Sequence, residues 1–354
     1  MNRFAIARAR TVEQAAGAAS MTVAGAMTAA ADEHDDVAQG DIVIVKANGI
    51  DVLDLLKERL LQPAKIINLS DIPELDKVAE ENDGGLRIGP MVTLAALADH
   101  PRVQQRYPAL ADALVGAASP QIRNVATLGG NLLQRPRCWY FRSHAYRCLR
   151  KGGDHCFAIA GANQYHAIFD NMVCAIVHPS TAATVLVALG ASIEITDRAG
   201  RLRQLPLETF FVPPDRDPQR ESDLQPHEIV TAIRLPKLPA SLRTAHLKQA
   251  EKDSFDWPLA AVAVALDIDA AGLCTRAAIV LGAAAPVPHR AKAAEAALTG
   301  KRIDDTSAAA AARAALAGAT PLADNAYKLP LFETLVRRAI LKAAAASEPA
   351  KSAS

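Results

Sequence analysis

Four of the five cysteines lie within one short stretch, at Cys138, Cys148, Cys156 and Cys174. Four thiolates can hold either a zinc ion or a 4Fe–4S cluster. Structural zinc usually uses close pairs such as C-x2-C, and the nine, seven and seventeen residues between these cysteines instead favour a loop around a larger cluster. Zinc and unrelated buried thiols are the alternatives. Basic residues that would offset the charge of an anionic cluster lie nearby: Arg135, Arg137, Arg142, Arg147, Arg150 and Lys151.

Four histidines share this stretch, and a fifth cysteine lies far from it. We predict that the histidines make hydrogen bonds or lie at the surface rather than bind metal; they are His144, His155, His166 and His178. Cys274 falls in an apolar run that predicts a strand, so we expect it to pack in a core. The sequence contains no nucleophile elbow, Walker loop or HExxH motif, and it nominates no general base.

Two glycine-containing turns could bind a phosphate. The first, residues 45–51 (VKANGID), joins a predicted strand to a predicted helix, where backbone N–H groups and the helix N-terminus suit a pyrophosphate. It lacks the GxGxxG pattern, and a plain strand–turn–helix corner is the alternative. In the second, residues 127–132 (TLGGNL), paired glycines would let a phosphate approach the chain. A simple glycine turn is the alternative there.

The segments around these residues read as mixed strands and helices. The first residues predict a short strand and then a helix, and residues 181–197 predict a helix followed by a strand. Predicted strands elsewhere cover residues 41–47, 65–72, 85–92, 228–236, 258–269 and 273–285, the last two paired as antiparallel strands. Predicted helices cover residues 52–62, 94–100, 108–118, 292–298, 306–317 and 330–345.

The remaining segments have weaker patterns. Residues 125–133 predict a turn between extended pieces, and residues 212–227 a polar, proline-rich loop. Residues 19–39 are alanine-rich with little pattern, which indicates an excursion at the surface. The small, polar tail after Ala346 predicts disorder.

Bulk composition limits the classes of protein. A chain of 354 residues predicts two or three domains, and a hydrophobic content of 50% is ample for their cores. The net charge of +1 argues against a dedicated nucleic-acid binder, and no apolar run approaches the length of a membrane span. The first 19 residues lack the apolar core of a secretory signal, so we expect a cytoplasmic protein. Export to the periplasm with a signal-bearing partner is the alternative.

Taken together, the motifs resemble the FAD-binding subunit of the xanthine dehydrogenase family of molybdenum hydroxylases. Residues 47–53 (ANGIDVL) occupy the family's first flavin loop, roughly AGGTDLL, and residues 126–132 (ATLGGNL) match its second, ATIGGNL. The four-cysteine insertion after GGNL is similar to the 4Fe–4S form of bacterial aldehyde oxidoreductases, and a related insertion occurs in 4-hydroxybenzoyl-CoA reductase. The chain departs from the family at Asn48 and Ile50, where Gly and Thr are usual, and at Thr181, where an aspartate is usual.

The resemblance implies an α+β protein with a p-cresol methylhydroxylase-type FAD-binding fold of two subdomains and a C-terminal α+β domain. The implied divisions are residues 1–65, 66–240 with an iron–sulfur insertion at 135–178, 241–346, and a disordered tail at 347–354. Cys138, Cys148, Cys156 and Cys174 would ligate the cluster. The implied FAD-binding residues are Val45, Lys46, Ala47, Asn48, Gly49, Ile50, Asp51, Val52, Ala117, Ala118, Thr127, Gly129, Gly130, Asn131, Leu132, Thr181, Val230 and Lys248.

The implied function is electron transfer within a heterotrimer, or a dimer of heterotrimers. A large molybdenum-cofactor subunit and a small 2Fe–2S subunit would be the partners, and electrons would pass through FAD here to an external acceptor. An aldehyde oxidoreductase is the expected complex, with a 4-hydroxybenzoyl-CoA reductase-like or xanthine dehydrogenase-like enzyme as alternatives. A stand-alone flavin oxidoreductase and a zinc-stabilised scaffold are alternatives from other classes.

Overall fold

In the computed structural model, which describes residues 3–31, 41–252 and 255–346, the chain forms three β-sheets flanked by helices. The alternation of strands and helices confirms the predicted α+β class. None of the described helices is long and apolar enough to cross a bilayer. The tail predicted to be disordered, residues 347–354, lies outside the described residues.

The first sheet is parallel, with strand order β1-β3-β2. Its strands are β1 (Ala5–Arg8), β2 (Val43–Lys46) and β3 (Lys65–Asn68), and its helices are α1 (Val12–Ala18), α2 (Val23–Ala31) and α3 (Ile50–Lys57). The predicted N-terminal strand and helix are therefore confirmed. Since β3 pairs with both neighbours, this sheet extends to Asn68, beyond the expected division at residue 65.

The prediction of a patternless excursion at residues 19–39 is wrong for its described part. Helix α2 buries Ala26 and Met27 in the same core as Leu55 and Leu56 of α3. Alanine-rich helices carry little contrast between their faces, so this buried face leaves a weak pattern in the sequence. Residues 32–39 lie outside the described residues.

The second sheet is antiparallel, with order β4-β5-β8-β6-β7. Its strands are β4 (Val78–Glu80), β5 (Leu86–Ile88), β6 (Ser192–Asp197), β7 (Leu202–Pro206) and β8 (Glu228–Leu235). The helices of this region are α4 (Leu94–Ala98), α5 (Pro101–Arg106), α6 (Pro108–Val115), α7 (Pro120–Arg123), α8 (Leu128–Leu132), α9 (Phe157–Ala160), α10 (Thr181–Ala188) and α11 (Leu207–Phe210).

The third sheet is antiparallel, with order β12-β11-β10-β9, and it contains the predicted hairpin. Its strands are β9 (Leu242–Gln249), β10 (Ala260–Ile268), β11 (Cys274–Gly282) and β12 (His289–Arg290), covered by α12 (Lys292–Leu298), α13 (Asp305–Ala314) and α14 (Lys328–Ala345). Cys274 is fully buried at the start of β11, as predicted.

Helix α10 joins the second and third sheets, and all of its residues are buried. Gly282 in β11 permits this contact, because a Cβ there would lie 2.5 Å from the hydroxyl of Thr184 in α10. Burial on every side explains why the segment TAATVLVA contains no charged residue.

Two predictions about segment type or length are wrong. Residues 125–133 do not form a turn between extended pieces: Thr127 caps helix α8, and its hydroxyl accepts a hydrogen bond from Gly130 N at 3.1 Å. The predicted helix 52–62 is α3, which begins earlier, at Ile50, and ends at Lys57, just before Arg59 adopts a left-handed conformation with φ 55°.

Candidate functional site

A cleft of about 520 Å³ opens between the first sheet, the second sheet and the start of the third. Every residue predicted to bind flavin lines this cleft except Leu132. Leu132 is buried in the core beneath the second sheet, because α8 turns its side chain away from Gly129 and Gly130. Segments that are far apart in sequence therefore meet at one surface.

The first flavin loop leaves the N-terminus of α3 open toward the cleft. Gly49 precedes the helix with φ 85°, and no side chain caps this end. The first N–H groups of a helix have no partner within it, so this end offers donors and a positive dipole to an anion. Asn48, which departs from the family pattern, donates from Nδ2 to the carbonyl of Val125 at 2.9 Å. This hydrogen bond ties the first loop to the second.

The two glycines of the second loop have different roles. A Cβ on Gly129 would lie 2.6 Å from Cβ of Pro90, so this glycine is required for packing. A Cβ on Gly130 would lie at the cleft, 3.0 Å from the hydroxyl of Thr127 and 3.9 Å from Cβ of Ala47. Gly130 is thus the glycine that keeps space open between the two loops. Beside it, Asn131 accepts a hydrogen bond from the hydroxyl of Ser180 at 2.6 Å.

The two predicted lysines already have backbone partners. Lys248 Nζ donates to the carbonyls of Gly116 at 3.0 Å and Asp256 at 2.8 Å, and burial lowers its pKa. Lys46 Nζ donates to the carbonyl of Ala47, and its pKa is lowered by burial and then by Arg8. Lys248 therefore fixes the position of the cleft wall next to residues 117 and 118.

Sequence reasoning missed part of the cleft. Glu221 and His227 reach it from the segment predicted only as a polar loop. Arg137 and Trp257 contact each other in the wall of the cleft, with the guanidinium carbon over the indole ring and 4.8 Å from its centre. Trp257 is one of only two tryptophans and is half-exposed. A tryptophan in a polar segment is the signal that could have pointed to this contact.

The four predicted ligand cysteines line a second, smaller cavity together. All four are free thiols, and Phe141, Phe157 and Arg150 complete the wall. The fold therefore brings together four residues of which the first and last are 36 positions apart in the sequence.

The thiols of this cavity differ in their electrostatics. Burial raises the pKa of Cys138 to about 12. The pKa of Cys174 is lowered, first by a hydrogen bond from Cys156 and also by the guanidinium of Arg150. Arg150 is itself buried, and its Nε and Nη2 have no hydrogen-bond partner among the described residues. Unpaired buried donors beside four thiols fit an anionic occupant.

Zinc and a 4Fe–4S cluster would use the same four thiols. Over residues 3–31, 41–252 and 255–346, no group of three or more His, Cys, Asp or Glu side chains is arranged to hold a metal ion, and this applies to both groups alike. One of the four histidines, His166, contacts a cysteine of the cavity, with Nε2 3.2 Å from Sγ of Cys138.

Three of the five arginines that were predicted to offset the charge of a cluster pair with carboxylates instead. Arg137 and Arg142 contact the carboxylate of Asp51 at 2.9 and 2.7 Å, and Asp54 takes a second contact from each. Arg135 pairs with Glu221. The side chains of Arg137 and Arg142 instead fasten the cysteine segment to α3, whose N-terminus faces the cleft.

Comparison with known proteins gives the family. Residues 7–238 match the family described as "FAD binding domain in molybdopterin dehydrogenase", and residues 245–343 match "CO dehydrogenase flavoprotein C-terminal domain". The aldehyde oxidoreductase FAD-binding subunit PaoB of Escherichia coli K12 is 34% identical over 84% of this chain and 91% of its own length. The chain belongs to the FAD-binding subunits of the molybdenum hydroxylases.

Other relatives of this FAD subunit agree with that placement. The carbon monoxide dehydrogenase medium chain of Hydrogenophaga pseudoflava is 27% identical over 83% of this chain and 86% of its own. A solved structure of carbon monoxide dehydrogenase from that organism covers 97% of both chains with a TM-score of 0.71 and 26% identity. The predicted fold, the oxidoreductase class and FAD as the family's cofactor are thereby confirmed.

Proposed function

We propose that this chain is the FAD and 4Fe–4S electron-transfer subunit of a heterotrimeric, molybdenum-dependent aldehyde oxidoreductase. Electrons would come from a molybdenum centre on a large partner through 2Fe–2S clusters on a small partner, and leave to an external acceptor. The observation that carries the proposal is the pairing of two cavities: one lined by the predicted flavin residues, the other by all four cysteines. Its 34% identity to an aldehyde oxidoreductase subunit supports the aldehyde class.

We propose that FAD lies in the cleft with its pyrophosphate at the N-terminus of α3. Gly49 and the uncapped first turn supply backbone donors, and Gly130 leaves space opposite them. Val230 and Thr181 would contact the flavin from β8 and α10. When bound, FAD supplies the capacity to accept electrons singly and to hold two. The protein's own part is to bind, orient and shield it.

We propose that Cys138, Cys148, Cys156 and Cys174 ligate one 4Fe–4S cluster. The free thiols, the apolar aromatic walls and the unpaired donors of Arg150 all fit such a group. The cluster supplies one-electron chemistry when bound. The proposed organisation follows the three sheets, with divisions near residues 68 and 240 and the cysteine insertion at 135–178.

Metal and flavin analysis of the purified chain tests this proposal. We expect about four irons and one FAD per chain, following the stoichiometry of such clusters. Cys174→Ser should lose iron and keep FAD, because the cleft does not include that residue. Cys274→Ser is the matched control, since Cys274 is equally buried but lies in β11, and it should keep both cofactors.

One equivalent of zinc without iron would contradict the cluster. The electron-transfer role has its own test: the isolated, loaded chain should accept electrons from dithionite but should not oxidise aldehydes. Together with the two partner subunits, an aldehyde should bleach its flavin. Aldehyde turnover by the isolated chain would instead favour a stand-alone flavin enzyme.

A further inference from the structure

A buried arginine links the cysteine cavity to the flavin cleft. The side chain of Arg150 is 1% exposed, and its Nη1 donates to Oε1 of Glu221 at 2.7 Å. The same carboxylate oxygen accepts a hydrogen bond from Nη2 of Arg135 at 2.9 Å. Glu221 lines the cleft, whereas Arg150 lines the cavity. One carboxylate therefore stands between the two sites.

The other side of Arg150 faces the cysteines. Its guanidinium lines the same small cavity as Cys174. Nε and Nη2 are buried without a hydrogen-bond partner among the described residues. A guanidinium carries five N–H donors and is always charged, so the buried N–H groups on Nε and Nη2 require a hydrogen-bond acceptor. The thiolate of Cys174, or the sulfide of an occupant that it binds, is the acceptor within reach.

We propose that Arg150 is a positioning residue that sets the reduction potential of the group held by the four cysteines, and that Glu221 limits how much of its charge acts there. The proposal rests on the proposed function, because it takes that group to be a 4Fe–4S cluster. Reduction adds one electron and makes the cluster more negative, so a nearby buried cation stabilises the reduced form. Glu221 opposes this by partly neutralising the cation.

Two substitutions should move the potential in opposite directions. In the purified complex, a redox titration that follows the cluster's electron paramagnetic resonance should give a lower midpoint potential for Arg150→Met. Glu221→Gln should give a higher one, because Arg150 keeps its charge but loses its anionic partner. Arg150→Lys should fall between wild type and Arg150→Met. Mere loosening of the fold would move the first two variants the same way.

Arg87→Met and Glu194→Gln are matched controls, because this pair also joins a mostly buried carboxylate to an arginine, at 3.1 Å, but within the second sheet. Both should leave the cluster potential unchanged. If Arg150→Met loses iron, Glu221→Gln still tests the proposal. Unchanged or same-direction shifts in iron-containing protein would overturn the role of Arg150 alone. A wild-type protein without iron would overturn the proposed cluster, and this inference with it.

Discussion

At the scale of single residues, the geometry separates side chains that face the cleft from those that only support it. Gly130 and Gly129 are neighbours in the GGN motif, yet a Cβ would meet the side chain of Thr127 at the cleft wall in the first case and the backbone and ring of Pro90 in the second. Asn48 replaces the usual glycine of the first loop and uses its amide to hold the second loop. A motif match therefore identifies the segment, but the individual roles depend on what each residue contacts.

Gly130→Val should weaken FAD binding while leaving the protein folded. The added side chain would displace the hydroxyl of Thr127, which lies 3.0 Å from the new Cβ, and would extend toward Ala47 at 3.9 Å. We expect at least a tenfold rise in Kd, about 1.4 kcal/mol, in a fluorescence titration of the apoprotein with FAD. Gly17→Ala in α1, whose Cβ would meet nothing within 4 Å, is the control and should bind normally.

Gly129→Val gives a different outcome, because Pro90 must move to admit any side chain there. Its thermal unfolding midpoint should fall even without FAD. A folded Gly130→Val protein with wild-type affinity for FAD would show that the cofactor lies elsewhere.

At the scale of elements, helix α3 serves both cavities. Its N-terminus faces the cleft, while Asp51 in its first turn accepts hydrogen bonds from the backbone N of Arg135 at 2.8 Å and from Arg142 at 2.7 Å. The cysteine insertion is therefore attached to the same turn that is proposed to hold the pyrophosphate. Asp51 and Asp54 of one short helix thus hold the segment that contains Arg137 and Arg142 in place.

Asp51→Asn should loosen this attachment. The carboxylate of Asp51 is 13% exposed and contacts the side chains of Arg137 and Arg142, which would lose their charge partner. We expect a loss of about 1–3 kcal/mol in the free energy of unfolding, measured by urea denaturation. Asp54→Asn is the control: Asp54 pairs with the same arginines but is 50% exposed, so its loss should be below about 1 kcal/mol. Equal losses for both variants would contradict this view of Asp51.

At the scale of the whole molecule, the insertion is held from two sides. While α3 holds its beginning, Lys328 of α14 holds its end, donating from Nζ to the carbonyls of His166 at 3.0 Å and Ala283 at 2.8 Å. Burial lowers the pKa of Lys328 to about 7. The C-terminal domain thus lines the cleft at Trp257 and also anchors the cysteine segment.

Acid should destabilise the protein through buried neutral histidines. His246 in β9 is 5% exposed, and its pKa is lowered to about 4 by burial, then by Lys342 and Lys248. Because this folded pKa lies below the usual 6.5, the folded state binds fewer protons than the unfolded state between these values. Its contribution is therefore complete above pH 6.5 and is lost as the pH falls toward 4.

Urea denaturation at pH 7 and pH 5 measures this effect. Between these values, His246→Leu should lose about 1–2 kcal/mol less free energy of unfolding than wild type does. His144→Leu, at an exposed position, is the control and should keep the wild-type pH dependence. An unchanged dependence in His246→Leu would show that His246 is not the group responsible.

From sequence alone, the family and the α+β fold class could be predicted, and so could the two glycine-containing loops that line the cleft. Glycine turns, apolar strands and clustered cysteines are local patterns, so they can be recognised in the sequence without knowledge of the fold. The sequence patterns did not reveal that residues 128–132 form a helix, that α2 has a buried face, or that Glu221 lines the cleft.

Which charged side chains pair with one another could be read only from the folded chain. Arginines 135, 137 and 142 looked like counter-ions for the cysteines, but carboxylates of α3 and of the 212–227 loop take their charge, leaving Arg150 beside Cys174. The physical reason is that an ion pair depends on a few ångströms of separation and on burial. Arg150 and Glu221 are 71 positions apart, and a pair so distant produces no periodic pattern in the sequence.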